Sequence, residues 1–376
     1  MSYKVKKEWA KNLWIESQRL NIKSPFGKGA EAVAKAVLQL GYVQIDTINV
    51  IERCHHHILF NRIPTYQKSD LEKAQSHDKS VFEYWTHALS YVPAQDYKYF
   101  VSRMKSTDTS PGSWYGSVSQ EDYKKVKKIL SIGPVTIREI KDDVLREKTH
   151  DWDSKKPSKK ALQLGFNNGD FVISRRDGML KVYDLSSRHF AWSKPPRAVS
   201  DLEYTNYTID RALCSQGLVS LESICHLVPS RKKITENELS QRVKRKELVQ
   251  VYIEGSEAIS HWVQPQNLER KIKPSSLTHI LSPFDPLIIQ RKRLKCFFDY
   301  EHLFEAYIPK EKRKHGYFTL PVLSGNEIVA LLDLKTDRVE QKLLIQSWIW
   351  RKGFRLADIK IRIEKELARF EKFQLR

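Results

Sequence analysis

Cysteine is scarce in this chain and ungrouped. Cys54, Cys214, Cys225 and Cys296 lie far apart with no C-x-x-C spacing, which excludes a zinc ribbon and a disulfide framework. Glycine forms no phosphate-cradling loop either: a grouping such as Phe26-Gly27-Lys28-Gly29 lacks the spacing of a nucleotide-binding fingerprint, so ATP-driven chemistry is unsupported. No run approaches the ~20 uninterrupted apolar residues that a membrane-spanning helix needs. The opening MSYKVKKEWAKNLW is basic without the apolar core of a signal peptide. A cytoplasmic, nucleoid-associated protein with no membrane partner is expected.

Acidic residues are the minority. Against 45 Asp+Glu stand 65 Lys+Arg, a formal charge of +20 over 376 residues. Such a surplus concentrates polyanions around the protein and points to nucleic acid, the plain alternative being charge for solubility. Nine Trp, 16 Tyr and 15 Phe within 40% hydrophobic residues supply apolar mass for real cores, and the length suits about two to four domains.

Helical periodicity runs through residues 6–20 and 27–40 and stops at Gly41. Tyr42-Val43-Gln44-Ile45-Asp46 then reads as a short strand, and Asn49-x-x-Glu52 as a capping box opening a helix to about Arg62. Further on, Gly133-Pro134-Val135-Thr136-Ile137-Arg138-Glu139-Ile140 aligns with Gly217-Leu218-Val219-Ser220-Leu221-Glu222-Ser223-Ile224 as a turn between two short helices. Each copy runs through a basic helix into a hairpin, around Arg175-Arg176-Asp177-Gly178 and around Glu254-Gly255. Helix, turn, helix and hairpin make a winged helix, a module of DNA binding and also of protein interaction. The clusters Lys155-Lys156-Pro157-Ser158-Lys159-Lys160 and Arg242-Val243-Lys244-Arg245-Lys246 suit phosphate contacts or plain solvated faces. Breaks at Thr109-Ser110-Pro111-Gly112-Ser113, Ser193-Lys194-Pro195-Pro196-Arg197 and Lys273-Pro274-Ser275-Ser276 read as linkers. Strands at 304–308, 316–323 and 328–334, with Ser324-Gly325-Asn326 as a turn, and a helix over about 356–370 complete a small α+β or barrel-like domain.

Chemistry concentrates at Gln44-Ile45-Asp46. In an extended tripeptide, residues i and i+2 share a side, so the amide and the carboxylate would converge over a buried Ile45 as a candidate acid/base pair. The residues alone equally suit an ordinary turn or cap at Asp46, ahead of Thr47 and Asn49. Cys54-His55-His56-His57 resembles a metal motif, but three consecutive histidines spread around a helix with no partner at i+4 spacing, so no metal is expected.

Five separated stretches occur in an order that resembles the bacterial YcaQ/AlkZ family of winged-helix DNA glycosylases over nearly the full length. They are Gln44-Ile45-Asp46 with Val50-Ile51-Glu52-Arg53, Phe82-Glu83-Tyr84-Trp85-Thr86-His87, Lys181-Val182-Tyr183-Asp184-Leu185, Leu281-Ser282-Pro283-Phe284-Asp285-Pro286, and Phe304-Glu305-Ala306-Tyr307-Ile308-Pro309 through Tyr317. The Gln-apolar-Asp tripeptide resembles the YcaQ (AlkX) branch; the AlkZ branch carries Gln-apolar-Gln.

The resemblance implies an α+β fold of tandem winged-helix units with a C-terminal β-rich domain: 1–110 with the catalytic motif, 111–200, 201–275, and 276–376. It implies a monofunctional enzyme hydrolysing the N-glycosidic bond of alkylated purines, interstrand crosslinks included, without cofactor. Asp46 would serve as the carboxylate and Gln44 as the group orienting water or sugar. Its partner would be double-stranded DNA, bound by a monomer. Arg53, Trp85, His87, Lys310, Lys312, Arg313 and Lys314 are candidate DNA contacts; a core tryptophan, a satisfied histidine and a surface hairpin are the plain alternatives. A non-enzymatic winged-helix transcription regulator is the rival assignment.

Overall fold

The computed structural model describes residues 3–142, 144–148 and 154–376. The chain is α+β and groups into two compact units, residues 1–67, 86–90 and 205–376 in one and 68–85 with 91–204 in the other. This grouping is coarser than the four segments read from the sequence. Among the described residues, no helix is long and apolar enough to cross a membrane.

In the larger unit, the helix Gly29–Leu40 ends because Gly41 adopts φ +79° and returns its N–H to the Val37 carbonyl. A side chain at 41 would also strike the Arg211 stem at 2.4 Å. The strand Val43–Gln44 follows, extended by an Ile45 N–H bond to the Leu89 carbonyl (2.8 Å). The helix Cys54–Arg62 begins only after an irregular stretch. No capping box forms at Asn49. The Glu52 carboxylate instead accepts the Arg53 N–H (3.0 Å), and the N-cap position is Arg53, without a side-chain cap.

Farther along, Leu218–Ser220, Leu221–Ile224, Lys232–Lys244 and the hairpin Val249–Ile253/Ser260–Val263 follow the helix Asp201–Gln216. In this sheet Ser260–Val263 lies between the other two strands, and Tyr3–Val5 adds parallel to Val249–Ile253. That is a winged helix with one borrowed strand. The C-terminal strands Thr278–Ile280, Thr319–Ser324, Glu327–Asp337 and Lys342–Trp350 form an open antiparallel sheet in chain order, not a barrel. Residues 304–308, expected as a strand, are irregular, and Lys342–Trp350 was not anticipated.

The core of this unit joins the helix Lys7–Ser17 to the helix Arg291–Phe298. Trp14 meets Phe297 edge-on at 5.1 Å, with Leu281, Leu294 and Ile328 in the same cluster. Trp14 is fully buried, so truncating it to alanine would cost roughly 3–5 kcal/mol. Within this core Arg62 donates twice to Asp285 (2.8 and 3.0 Å) and also reaches the Gln18 carbonyl. The aspartate of Leu281-Ser282-Pro283-Phe284-Asp285-Pro286 thus ties the fold, because a buried guanidinium needs a hydrogen-bonded counter-charge.

The smaller unit repeats the topology. Ser119 caps the helix Gln120–Ile132 through the Asp122 N–H; Val135–Thr136, Pro157–Asn167 with proline in its first turn, and the hairpin Phe171–Asp177/Leu180–Leu185 follow. Leu180–Leu185 is again the central strand. Arg176 clamps the buried Glu83 with two 2.6 Å bonds.

Candidate active site

Gln44 is the last residue of its strand, so the alternation that would set Gln44 and Asp46 on one side does not extend to Asp46. The Gln44 side chain is 6% exposed and turns onto His87, whose Nε2 lies 3.0 Å from Oε1. Burial, then His226 and Arg211, depress the His87 pKa to about 4. The ring is therefore neutral at physiological pH, donates from Nε2, and fixes the amide with its oxygen toward His87. The ring edge packs on Tyr42 (centroids 5.0 Å).

Ile45 is buried, as expected. Asp46 is half-buried, and its Oδ1 accepts the Ile48 N–H at 2.8 Å in a turn. Burial raises its pKa above 3.8, opposed by the backbone N–H groups of Ile48 and Thr47. The carboxylate is thus held by one turn yet remains partly open. Beneath it, the Cys54 thiol donates to the Gln44 carbonyl (3.1 Å), and burial with the Asp46 charge keeps that thiol protonated.

The irregular stretch after Asp46 is clamped from distant parts of the chain. The Gln374 Oε1 accepts from the Glu52 N–H (2.6 Å) and from the Thr336 hydroxyl (3.1 Å). Thr336 also sends its N–H to the Val50 carbonyl (2.9 Å), and Arg338 donates to Asn49 (3.1 Å). Arg338 belongs to the turn between Glu327–Asp337 and Lys342–Trp350, where Val339 is 88% exposed. Sequence reasoning does not reach Thr336, Arg338 or Gln374, since hydrogen bonds across some three hundred residues leave no local pattern.

The basic loop is a built structure. Glu305, 2% exposed, accepts the N–H groups of Lys314 (2.6 Å), His315 (2.8 Å) and Gly316 (3.3 Å). Asp333 takes those of Tyr317 and Phe318. Gly316 has φ +144°, and any Cβ there would meet the Asp333 carboxylate at 2.1 Å, so only glycine suits. The loop presents Lys310, Lys312 and Lys314 to solvent, while Arg313 stacks on Tyr317 at 4.9 Å. Asp333 and Thr336 share one strand, so the loop anchor and the clamp on residue 50 lie roughly 10 Å apart along it.

Arg53 sits beside Glu52, with Nη1 3.8 Å from its carboxylate. His87 is brought to Gln44, whereas Trp85 belongs to the smaller unit, where its carbonyl accepts from Arg103 (3.1 Å). The consecutive histidines take separate partners: His56 meets the Tyr66 hydroxyl (2.6 Å) and His57 the Ile280 carbonyl (2.8 Å), while the His55 ring packs on His56 with centroids 4.2 Å apart. Among the described residues no three metal-ligating side chains converge.

A family model described as DNA glycosylase AlkZ-like matches residues 37–373. The structure is similar to the Streptomyces sahachiroi DNA glycosylase AlkZ with a TM-score of 0.62 over 98% of this chain and 97% of that one, at 16% identity. This likeness extends to the fold. The chain belongs to the AlkZ-like DNA glycosylase family.

Proposed function

We propose that this glycosylase hydrolyses the N-glycosidic bond of alkylated purines in duplex DNA, interstrand crosslinks included, as a YcaQ-type member of its family. The observation that carries this is Asp46, a partly open carboxylate at a clamped strand exit in a DNA glycosylase chain. Alkylation at N7 or N3 makes the purine a cationic leaving group, so the bond breaks with little acid assistance and leaves an oxocarbenium-like sugar. Asp46 offsets that charge and accepts a proton from the attacking water. The upward push on its pKa makes it a better proton acceptor than an open aspartate. With Oε1 committed to His87, Gln44 offers its NH2 to orient the water or the sugar.

No lysine Schiff base enters this scheme, which makes the enzyme monofunctional. The Lys310–Lys312 turn, Arg313, Lys314 and Arg53 hold phosphates, and the Val339 tip suits a groove wedge. A base tethered to the opposite strand resists flipping into a snug pocket, so the reading calls for a shallow catalytic surface. The protein acts as a monomer.

Incubation with duplex DNA carrying N7-methylguanine tests this. Base release well above the spontaneous rate, on monoadducted and crosslinked duplexes alike, is expected. Release at the spontaneous rate, with a sequence-specific footprint on undamaged DNA, would replace it by the regulator.

A further inference from the structure

Tyr307 stands apart from the aromatic side chains that the fold absorbs. Among the described residues only Tyr3, Trp114 and Tyr307 are tyrosines, tryptophans or phenylalanines largely open to solvent, and Tyr307 leads them at 82% exposure. A single exposed apolar residue is ordinary on a protein surface. This one, however, stands on a fixed backbone. The Ile308 N–H returns to the Glu305 carbonyl (3.0 Å), Pro309 restricts the chain beyond it, and the Arg313 Nε donates to the Ile308 carbonyl (2.8 Å). Glu305 is in turn locked to the N–H groups of Lys314, His315 and Gly316.

Underneath, a column of rings runs from the core to the surface. Phe318 is buried and meets Phe304 edge-on at 5.8 Å; Phe284 meets Phe304 at 5.1 Å, and Phe304 meets Tyr307 edge-on at 5.7 Å. A ring placed beforehand in this way loses little freedom when a ligand covers it. The other tyrosine of the loop, Tyr317, already carries the Arg313 guanidinium at 4.9 Å, whereas most of the Tyr307 ring faces water. Lys310, Lys312 and Lys314 are exposed on the same loop, and Glu311 is the sole acid between Ala306 and Tyr317.

An open aromatic ring among cations matches a nucleobase with phosphates on either side. In intact duplex the faces of the bases are covered by their neighbours, so only a base that has left the stack can use the ring. We infer that Tyr307 stacks on an unpaired nucleobase of the bound DNA, with Lys310, Lys312 and Lys314 on the flanking phosphates, and so selects distorted over intact duplex. Asp333, which anchors the loop, and Val339, the candidate wedge, belong to one strand and its turn and lie at most about 20 Å apart. One distorted site can thus engage both. An open ring also suits a base still tethered to the opposite strand, which resists entry into a snug pocket.

The inference rests on the DNA-repair reading for its partner, but its test uses undamaged DNA and no base release, so the two fail separately. Binding of the full chain to fluorescein-labelled duplexes is followed by anisotropy, comparing a fully paired duplex with one that carries a single bulged thymine. The unaltered protein should favour the bulged duplex by at least about fivefold, the lower end for stacking one base on an aromatic side chain. Tyr307→Ala should remove that preference and leave affinity for the paired duplex unchanged, and Tyr307→Phe should keep it. The double variant K310Q/K312Q, on exposed side chains, should weaken both duplexes alike and reduce the salt slope by about two. The inference is overturned if the unaltered protein shows no preference, if Tyr307→Ala retains it or weakens both duplexes equally, or if K310Q/K312Q changes neither affinity. Loss of the preference in Tyr307→Phe would overturn it too, by assigning the contact to the hydroxyl.

Discussion

Two strand-to-helix corners of this molecule differ in what their polar residues do. At one, the strand Leu218–Ser220 runs straight into a helix. There Ser220 accepts the Ser223 N–H while the Ser223 hydroxyl accepts the Ser220 N–H, and both side chains are buried. At the other, the strand Val43–Gln44 leads into an irregular stretch, and its helix waits until Cys54. Polar groups at the Ser220 corner are consumed in starting a helix. At the Gln44 corner they are spared that task, and the backbone is held from outside by Gln374, Thr336 and Arg338. A site that breaks the local rule needs distant support, and that is where chemistry becomes available.

Exchanging charge for shape at the spared corner should have the largest effect. Asp46→Asn should reduce single-turnover release of N7-methylguanine by roughly 10²–10⁴-fold, the range for a positioned acid or base, with DNA affinity unchanged. Because burial raises the Asp46 pKa in the folded state, its stability contribution is present below the unfolded value and fades as pH rises through the folded one. The melting temperature of Asp46→Asn at pH 7 should therefore equal or exceed that of the unaltered protein. A clear drop would make Asp46 a structural turn residue like Ser220.

Acid should weaken the unit that holds both corners. His57 and His279 are buried and His87 is partly buried, and all three are depressed from 6.5 to about 4, so the unfolded chain binds more protons between those values and stability falls as pH drops from 6.5 towards 4. Urea midpoints measured across that window should decline; a flat series would mean these rings are charged in the fold. A smaller change is expected from His87→Phe. Losing one hydrogen bond to Gln44 should slow release about fivefold, near 1 kcal/mol, without altering duplex affinity; weakened affinity would make His87 a DNA contact. Smallest is Ser220→Ala, which should cost about 1 kcal/mol of stability as a lost cap and leave base release intact.

Much of the frame is legible in the sequence. Gly217, at φ +74°, closes a helix before the strand Leu218–Ser220, and Gly255 and Gly325 sit in the turns of hairpins. The position of Gln44-Ile45-Asp46 at a strand exit is legible too, because Gly41 and the apolar run before it mark where a helix must stop. What escapes is whatever rests on distance. Asn49-x-x-Glu52 suggests a cap, yet Glu52 is claimed by Gln374. Residues 304–308 look β-forming, yet Glu305 is needed to gather three N–H groups of the basic loop, which a regular strand would not allow. Such competition is decided by partners that no sequence window contains.

The most direct measurement is the pH dependence of single-turnover N7-methylguanine release, corrected for spontaneous loss, for the unaltered protein and Asp46→Asn. The rate should climb with pH through one ionisation lying above 3.8, the ordinary aspartate value, and that climb should vanish in Asp46→Asn. Superimposable profiles for the two proteins would contradict the role of Asp46.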